Sequence, residues 1–320
     1  MSRPLWFVRI IQHFFTERFQ IASWTKKSRL IKAVVDFFLF HGDEIYYLPK
    51  DEVIENVLKR KSEDADGYLT ARFSEDGIVP EPHWSGEGNT DVAIQEDVLV
   101  QVQQDIEQPP SITMPSTVIR QFIQEANYIF LMEKCLCRDN MQCKDYPIEL
   151  GCIFMGEAVK GINPKLGHLA TKEEAIKRID LAAEHGLIHL VGKNKIDTQW
   201  MGVHPGGRLL TVCNCCPCCC LYKVLPDLHE DIASKVEKMP GIEVGVNADI
   251  CVGCGKCTEP EVCMTHNLSV VDGKAVMGDN CVGCGRCYEV CPVGAIEIDI
   301  QNEDYINETI RRLKAKVDVK

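Results

Sequence analysis

The sequence predicts an α+β fold in which a mainly helical, cysteine-rich domain precedes a small C-terminal domain with pseudo-twofold symmetry. Three observations predict it: helical periodicity recurs in several segments, one short motif occurs twice in the last quarter, and 18 of the 320 residues are cysteine. The expected parts are a helical docking segment (1–61), an acidic linker or small lobe (62–109), a cysteine-rich metal-binding domain (110–225), a C-terminal domain (226–300) and a final helix (301–320).

The N-terminal segment combines basic and aromatic residues. Trp6, Ile10, Phe14 and Phe15 recur at near-helical spacing, and residues 1–34 carry seven Lys/Arg against one Glu. The formal charge of this segment is therefore near +6, while that of the rest of the chain is near −18. An amphipathic helix of this composition suits either a membrane surface or a partner subunit. We expect residues 1–40 to be a docking element whose removal leaves the metal content intact.

Further helices are predicted from periodicity and caps. Thr171 and Glu174 form a capping box before an apolar-periodic run that stops at Gly186. Other helices are expected over 47–61 after Pro49, over 115–135, over 226–241 and over 303–319. A strand-like run at 98–102 interrupts the linker, which is rich in acidic residues, Gly and Pro.

The expected compartment is a reducing cytoplasm, with peripheral attachment to a membrane as a further option. Arg9, Glu17 and Arg18 interrupt the apolar N-terminus and no small-residue cleavage site follows, so it does not read as a signal peptide. The run at 30–40 is too short to span a bilayer, which takes about 20 residues. Dense cysteines in such a compartment hold metal more often than disulfides. A net charge of −12 speaks against a nucleic-acid partner.

The most specific signal is a duplicated motif. "ICVGCGKC" at 250–257 returns as "NCVGCGRC" at 280–287, and Cys291-Pro292 follows the second copy. Each copy has the spacing C-x-x-C-x-x-C, which lets three thiolates turn around one metal cluster while glycine backbone passes close to it. Zinc is the alternative, because C-x-x-C pairs also bind that metal.

Residues 242–300 resemble bacterial-type two-cluster [4Fe-4S] ferredoxins, in which the last Cys of each run ligates the other cluster. The resemblance implies a ferredoxin-like domain with two [4Fe-4S] clusters. One cluster is implied on Cys251, Cys254, Cys257 and Cys291, and the second on Cys281, Cys284, Cys287 and Cys263. Cys263 departs from the pattern, because five residues rather than three separate it from Cys257 and Met264 stands where the pattern has proline.

Ten further cysteines form two groups in the central region. They are Cys135, Cys137, Cys143 and Cys152, and the run Cys213, Cys215, Cys216, Cys218, Cys219 and Cys220. A redox thiol pair needs two cysteines, and crowded thiolates repel one another unless cations neutralise them. The sequence therefore predicts one domain with additional iron–sulfur clusters, or zinc, in two sites that share the run or in one larger non-standard cluster. Arg138 is expected beside that cluster, where a cation raises its potential.

The layout resembles a group of anaerobe iron–sulfur proteins in which a C-x-C-R segment and a C-N-C-C-x-C-C-C run precede a two-cluster ferredoxin domain; no defined activity comes with that resemblance. Among the histidines, His204 in a Pro-Gly-Gly loop before the run is the candidate ligand, whereas His185 and His229 are assigned to helices. No phosphate-binding glycine motif is present.

Three functions remain open from the sequence. The first is an electron-transfer component that serves redox partner proteins, rather than a stand-alone enzyme. The second is an oxidoreductase with a substrate-binding, non-standard cluster in the central domain. The third is a metal-handling or scaffold protein with zinc there.

Overall fold

The computed structural model describes residues 3–72 and 114–320. The chain divides into two compact units, Met1–Glu55 with Met114–Lys320, and Asn56–Thr113. The strand-like run at 98–102 and most of the linker at 62–109 lie outside the described residues.

The described residues form eleven α-helices and eleven strands. The helices are α1 (Leu5–Phe14), α2 (Arg18–Lys27), α3 (Arg29–Val35), α4 (Asp51–Arg72), α5 (Ser116–Glu125), α6 (Leu136–Asn140), α7 (Lys172–Glu184), α8 (Lys195–Met201), α9 (Glu230–Ala233), α10 (Arg286–Val290) and α11 (Tyr305–Lys314). The strands are β1 (Glu44–Tyr47), β2 (Ile129–Met132), β3 (Ile153–Met155), β4 (Gly167–Ala170), β5 (Ile188–Lys193), β6 (Leu210–Cys215), β7 (Val236–Lys238), β8 (Ile242–Val246), β9 (Leu268–Val271), β10 (Lys274–Met277) and β11 (Ile296–Ile300).

A seven-stranded sheet organises the cysteine-rich region. Its strand order is β4-β2-β3-β6-β5-β1-β7, and neighbours are antiparallel except for the parallel pair β1 and β7. Side chains alternate between the two faces of a strand. Ile45 and Tyr47 of β1 therefore pack in one core with Ala22 of α2, while Tyr46 lies beside Arg312 of α11 on the opposite face. Helices thus cover both faces of the sheet.

The sheet corrects the prediction of a mainly helical domain. The helix expected over 115–135 ends at Glu125, and the apolar run Ile129–Met132 is instead the buried strand β2. Similarly, Pro226 lies inside a 3₁₀ segment, and only the four-residue α9 and the strand β7 follow it. Short runs that are apolar throughout carry no periodicity, so their sequence does not separate a buried strand from a helix.

Other helix predictions are confirmed. Helix α4 begins at Asp51, shortly after Pro49. Thr171 and Glu174 make both hydrogen bonds of a capping box at the start of α7. Helix α11 buries Ile306, Ile310 and Leu313 on one face, as its spacing predicted.

The N-terminal segment forms part of the core. It folds as α1, α2 and α3 followed by a π-helical turn at Asp36–Phe40, and Ala22, Val35 and Phe40 are buried in the same apolar cluster as Cys215 and Cys220. The expectation that its removal leaves the metal content intact is therefore replaced by the opposite one. No helix among the described residues is long and apolar enough to cross a membrane.

The C-terminal region pairs β8 with β11 and β9 with β10, each antiparallel. Asp272 and Gly273 connect β9 to β10, and both have the positive φ that a tight type I′ turn requires. A 3₁₀ turn at Lys256–Thr258 contains the last cysteine of the first motif, Cys257, and α10 contains that of the second, Cys287. The duplicated sequence thus produces two short helical segments, each directly after a glycine-rich cysteine loop.

Candidate metal centres

All eighteen cysteines lie in the described residues, and each is a free thiol. The fold gathers them into four groups. The first C-terminal group is Cys251, Cys254, Cys257 and Cys291, and the second is Cys263, Cys281, Cys284 and Cys287. The central four-thiol group is Cys143, Cys216, Cys218 and Cys219, and the central six-thiol group is Cys135, Cys137, Cys152, Cys213, Cys215 and Cys220.

Each C-terminal group surrounds its own small cavity, and the two motifs exchange their last cysteine. Cys291, which follows the second motif, lines the cavity of the first one. Cys263, which follows the first motif, lines the cavity of the second. These are the groupings that the ferredoxin resemblance implied. The longer spacer before Cys263 is accommodated in the chain between Thr258 and Cys263 without removing that thiol from the group.

Backbone amides point at several of these sulfurs. The N–H groups of Ala275 and Ala295 donate to the Sγ atoms of Cys251 and Cys291, at 3.3 and 3.2 Å. The N–H of Asn267 donates to Cys263 Sγ at 3.2 Å. The amides of Ala275 and Gly253 lower the pKa of Cys251. Hydrogen bonds to the charged form favour thiolates, the state that binds iron.

Burial acts in the opposite direction in the second C-terminal group. It raises the pKa of Cys284 to about 12 and raises the pKa of Cys287 further. Without a bound cation, the thiols of Cys284 and Cys287 would therefore be protonated at neutral pH. A bound cation or cluster deprotonates coordinating thiols outright, so these positions suit a metal centre rather than a reactive cysteine.

Glycine is required where the cysteine loops meet neighbouring backbone. Gly253 has φ +65°, and a Cβ there would lie 2.2 Å from the carbonyl oxygen of Gly273. Gly283 has φ +69°, and its Cβ would lie 2.8 Å from Cβ of Lys238. Both loops thus need glycine for conformation and for close approach.

The central four-thiol group is the tightest cluster of donors. Its sulfur atoms all lie within 4.8 Å of one another. Cys218 Sγ is 3.5 Å from Cys143 Sγ and 3.4 Å from Cys216 Sγ. Burial and the neighbouring Cys216 raise the pKa of Cys219 to about 12. Four thiols at this separation match the donor number of a tetrahedral zinc site or of a [4Fe-4S] cluster.

The central six-thiol group lines a cavity of about 310 Å³. Cys152 Sγ lies 3.3 Å from Cys213 Sγ, and Cys220 Sγ lies 3.4 Å from Cys215 Sγ. A hydrogen bond from Cys137 lowers the pKa of Cys135 to about 7. Hydrogen bonds from Cys213 and Cys220 lower the pKa of Cys215 well below its usual value. Six donors exceed the four that one [4Fe-4S] cubane takes.

Arg138 connects the two central cysteine segments. Its side chain is fully buried, and its three nitrogens donate to the carbonyl oxygens of Pro147, Asn214 and Leu150 at 2.8, 2.6 and 2.5 Å. The guanidinium thereby ties the loop before Cys152 to strand β6 inside the cysteine run. It also lies near the thiols of Cys135 and Cys216. The sequence placed Arg138 beside the thiols, but its structural role as a clamp had no sequence signal.

Arg18 was missed by sequence reasoning, because it sits among other basic residues of the N-terminal segment. Its side chain lines the six-thiol cavity and is 9 % exposed. One terminal nitrogen donates to the carbonyl of Phe15 at 2.8 Å, while Nε has no hydrogen-bond partner among the described residues. Burial lowers the pKa of Arg18. Tyr222 is another buried residue of this cavity, and its hydroxyl likewise has no hydrogen-bond partner among the described residues.

The three histidines considered from the sequence belong to none of the four thiol groups. His204, the candidate ligand, is exposed and belongs to none of the four groups. His229 caps α9 and His185 ends α7. The buried His189, not singled out from the sequence, contacts Asn214 Oδ1 at 2.9 Å through Nδ1 and so orients the residue between Cys213 and Cys215.

The second C-terminal group adjoins the central groups. Arg286, next to Cys287, donates to the hydroxyl of Tyr146 at 2.8 Å and to the carbonyl of Gly186 at 2.9 Å. Tyr146 packs in the apolar cluster around Cys216 and Cys219. Val282 and Met264 pack in the cluster that contains Cys215 and Cys220. The second group therefore contacts the apolar cluster of the six-thiol group through Val282 and Met264, and the separate cluster of the four-thiol group through Arg286 and Tyr146.

Comparison with known proteins identifies one part of this arrangement. Residues 275–297 match the family described as "4Fe-4S binding domain", and this stretch includes Cys281, Cys284, Cys287 and Cys291. No curated protein and no solved structure matched the chain. The chain thus contains an iron–sulfur binding domain with a place for at least one [4Fe-4S] cluster, and the central four-thiol group offers a further metal site.

Proposed function

We propose that this protein is an electron-transfer protein in which two [4Fe-4S] clusters of the C-terminal domain pass electrons to further clusters in the central domain. The observation that carries the proposal is the division of eighteen thiols into four groups, of which the second C-terminal group contacts the apolar clusters of both central groups. Clusters in adjoining groups suit single-electron transfer, and the surrounding hydrogen bonds and burial set their potentials.

In the C-terminal domain, Cys251, Cys254, Cys257 and Cys291 hold one cluster in this proposal. Cys281, Cys284, Cys287 and Cys263 hold the other. The exchanged cysteines support the assignment, because each cavity has three thiols from one motif and one from the other. The amides that donate to Cys251, Cys291 and Cys263 stabilise a negatively charged centre.

In the central domain, the four-thiol group holds one [4Fe-4S] cluster and the six-thiol group a non-standard cluster that uses its surplus thiols. Zinc is the alternative occupant of the four-thiol group, since a Cys₄ set also defines a structural zinc site. With zinc there, the electron path would need to run directly from the second C-terminal group to the six-thiol group.

The first C-terminal group is the point of exchange with a redox partner in this scheme. Cys254 is exposed. Ile250 and Val252, which lie near it in the chain, have exposed apolar side chains, and so has Val293, which lines the same cavity as Cys254. The second group instead faces the central domain through Arg286. An acidic body with a small apolar contact favours brief, electrostatically guided encounters.

One observation favours a second candidate, an oxidoreductase that binds a small ligand at the six-thiol cavity. The cavity holds a buried arginine nitrogen and a buried tyrosine hydroxyl that have no hydrogen-bond partner within 3–72 and 114–320, and buried polar groups are ordinarily satisfied. A small-molecule site combines apolar walls with a few such polar groups. A change in the electron paramagnetic resonance spectrum on adding cyanide would support this candidate, because cyanide binds iron that has an exchangeable position.

The deciding experiment is anaerobic purification of the full chain with analysis of iron, sulfide and zinc, together with electron paramagnetic resonance of the reduced protein. Two C-terminal clusters alone give about eight iron and eight sulfide per chain, and central clusters raise both to about twelve or more. Stoichiometric zinc with about eight iron would make the four-thiol group structural. Sulfide far below iron would overturn the proposal in favour of metal handling.

A further inference from the structure

The exposed face of the N-terminal segment carries an unusual run of large apolar side chains. Leu30 is 75 % exposed and Phe37 is 61 % exposed, and Val34 and Phe38 are also exposed. These four residues follow the helical spacing i, i+4, i+7 and i+8, so they form one ridge along α3 and the π-helical turn. We call Leu30, Val34, Phe37 and Phe38 the apolar ridge. Contiguous exposed apolar residues of this size mark interaction sites.

Buried side chains, an ion pair and a helix cap fix the segment that carries the apolar ridge. Val35 and Phe40, on the opposite side of the same segment, are buried against the central core. Asp36 and Lys235 form an ion pair, and Ser28 caps the start of α3 through the N–H of Ile31. One face of this segment therefore packs in the core, while the opposite face exposes the apolar ridge.

Free positive charge lies directly beside the ridge. Lys27 and Arg29 are exposed, and neither has an acidic partner among the residues that the structure describes. Lys32 and Lys235, by contrast, are paired with Asp231 and Asp36. Exposed Trp24 adds an aromatic side chain on the preceding helix, a residue type enriched at membrane interfaces.

We propose that the apolar ridge docks this protein on an anionic lipid bilayer, with Leu30, Val34, Phe37 and Phe38 inserted at the interface and Lys27 and Arg29 on the lipid phosphates. The charge distribution favours this occupant: residues 1–34 stand near +6 in a chain of net −12, so this is the part that an anionic surface attracts. The proposal does not depend on the cluster content.

A second copy of the chain is the less favoured occupant. A twofold dimer through this face would place the two basic segments against each other, because such an interface brings the same patch of both copies together. A ridge of four side chains is also small beside the roughly 20–30 residues that each partner contributes to a stable protein interface.

The test is co-sedimentation of the anaerobically purified full chain with vesicles. One set contains phosphatidylcholine alone, and the other contains equal parts of phosphatidylcholine and phosphatidylglycerol. We expect binding to the anionic vesicles that weakens with salt. The double variant Phe37→Ser/Phe38→Ser should lower the partition coefficient at least tenfold, and Lys27→Gln and Arg29→Gln should each lower it roughly fivefold.

Val271→Ser and Val276→Ser are matched controls, since both valines are exposed apolar residues of the C-terminal domain. They should bind like the unchanged protein. Circular dichroism and iron content establish that each variant is folded. Equal binding to both vesicle types, or binding unaffected by the Phe37/Phe38 change, would overturn the proposal. So would a dimer in solution that this change dissociates, which would make the ridge a protein interface.

Discussion

The C-terminal and the central thiol groups both bring several cysteines close together, but they do so with different architectures. Each C-terminal group takes three cysteines from one short loop and a fourth from the other motif, around a cavity with little spare room. The central groups draw on segments about sixty to eighty residues apart, joined by a sheet and by Arg138. A local motif thus fixes its own geometry, whereas a dispersed set depends on the fold that assembles it. Removing structural support should therefore affect the two regions unequally.

The largest effect is expected from deleting residues 1–40. This removes Phe15, Ala22, Val35 and Phe40 from the core and opens the six-thiol cavity to water. We expect iron to fall to about eight per chain, with the C-terminal signals retained in electron paramagnetic resonance. The control is Phe37→Ser/Phe38→Ser, which changes only the exposed face of the same segment and should keep the central iron. Unchanged iron in the deletion would show that the central groups do not need the segment.

A smaller but still severe effect is expected from Arg138→Met. The substitution leaves three buried carbonyl groups without donors, at about 1–3 kcal/mol each, so the central domain should lose at least about 3 kcal/mol of stability. Denaturant unfolding with iron analysis measures both consequences. Arg120→Met is the matched control, because Arg120 makes a half-exposed ion pair with Asp180 and a long hydrogen bond to the hydroxyl of Ser116, and such exposed pairs contribute up to about 1 kcal/mol. Equal losses of stability in the two variants would contradict the clamp role of Arg138.

Within the C-terminal domain, Cys291→Ala should remove a single cluster. Because Cys291 lines the cavity of the first group, the lost signal should belong to Cys251, Cys254 and Cys257, with about four iron lost. Cys263→Ala should remove the other cluster. Electron paramagnetic resonance of the reduced variants distinguishes the two, since their interaction disappears in both and a different isolated spectrum remains in each. Loss of the same cluster in both variants would contradict the exchanged assignment.

The smallest effect is expected from Arg18→Met. The guanidinium lies near the six-thiol group, and a fixed cation stabilises the more negative, reduced state of a cluster. Its loss should lower the midpoint potential of that centre by roughly 60 mV, which corresponds to a tenfold change in the one-electron equilibrium. Arg18→Lys should recover part of the shift, and Lys26→Met, on the exposed side of α2, should leave the potential unchanged. A potential insensitive to Arg18→Met would assign that residue to packing alone.

The same contrast explains what the sequence could predict. The duplicated motif identified both C-terminal groups because ligand spacing and glycine positions are local properties. The capping box of α7 and the apolar face of α11 were predictable for the same reason. The division of the central cysteines was not, because it depends on which strand each segment joins. The runs Ile129–Met132 and Ile153–Met155 are so short and so uniformly apolar that their sequence does not predict a strand rather than a helix.

Arg18 illustrates a second limit of sequence reasoning. Its charge suggested a surface docking role, yet the fold turns this one cation inward while Lys26 and Lys27 stay outside. Only packing against Phe15 and the cavity reveals the difference, since the guanidinium carbon lies 4.2 Å from the centre of the Phe15 ring. Residues in one basic segment thus divide between the core and the surface.

Neighbouring cysteines at the end of β6 belong to different thiol groups. Cys213 and Cys215 share one face of the strand and belong to the six-thiol group, whereas Cys216, the next residue, belongs to the four-thiol group and also lines the six-thiol cavity. The two thiol groups are thereby linked through a single peptide unit. A deletion or insertion of one residue within β6 would reverse the alternation of the strand and move Cys213 and Cys215 to its opposite face. The spacing of the run is therefore as important as its cysteine content, and an insertion that keeps all six cysteines should still disturb the central thiol groups.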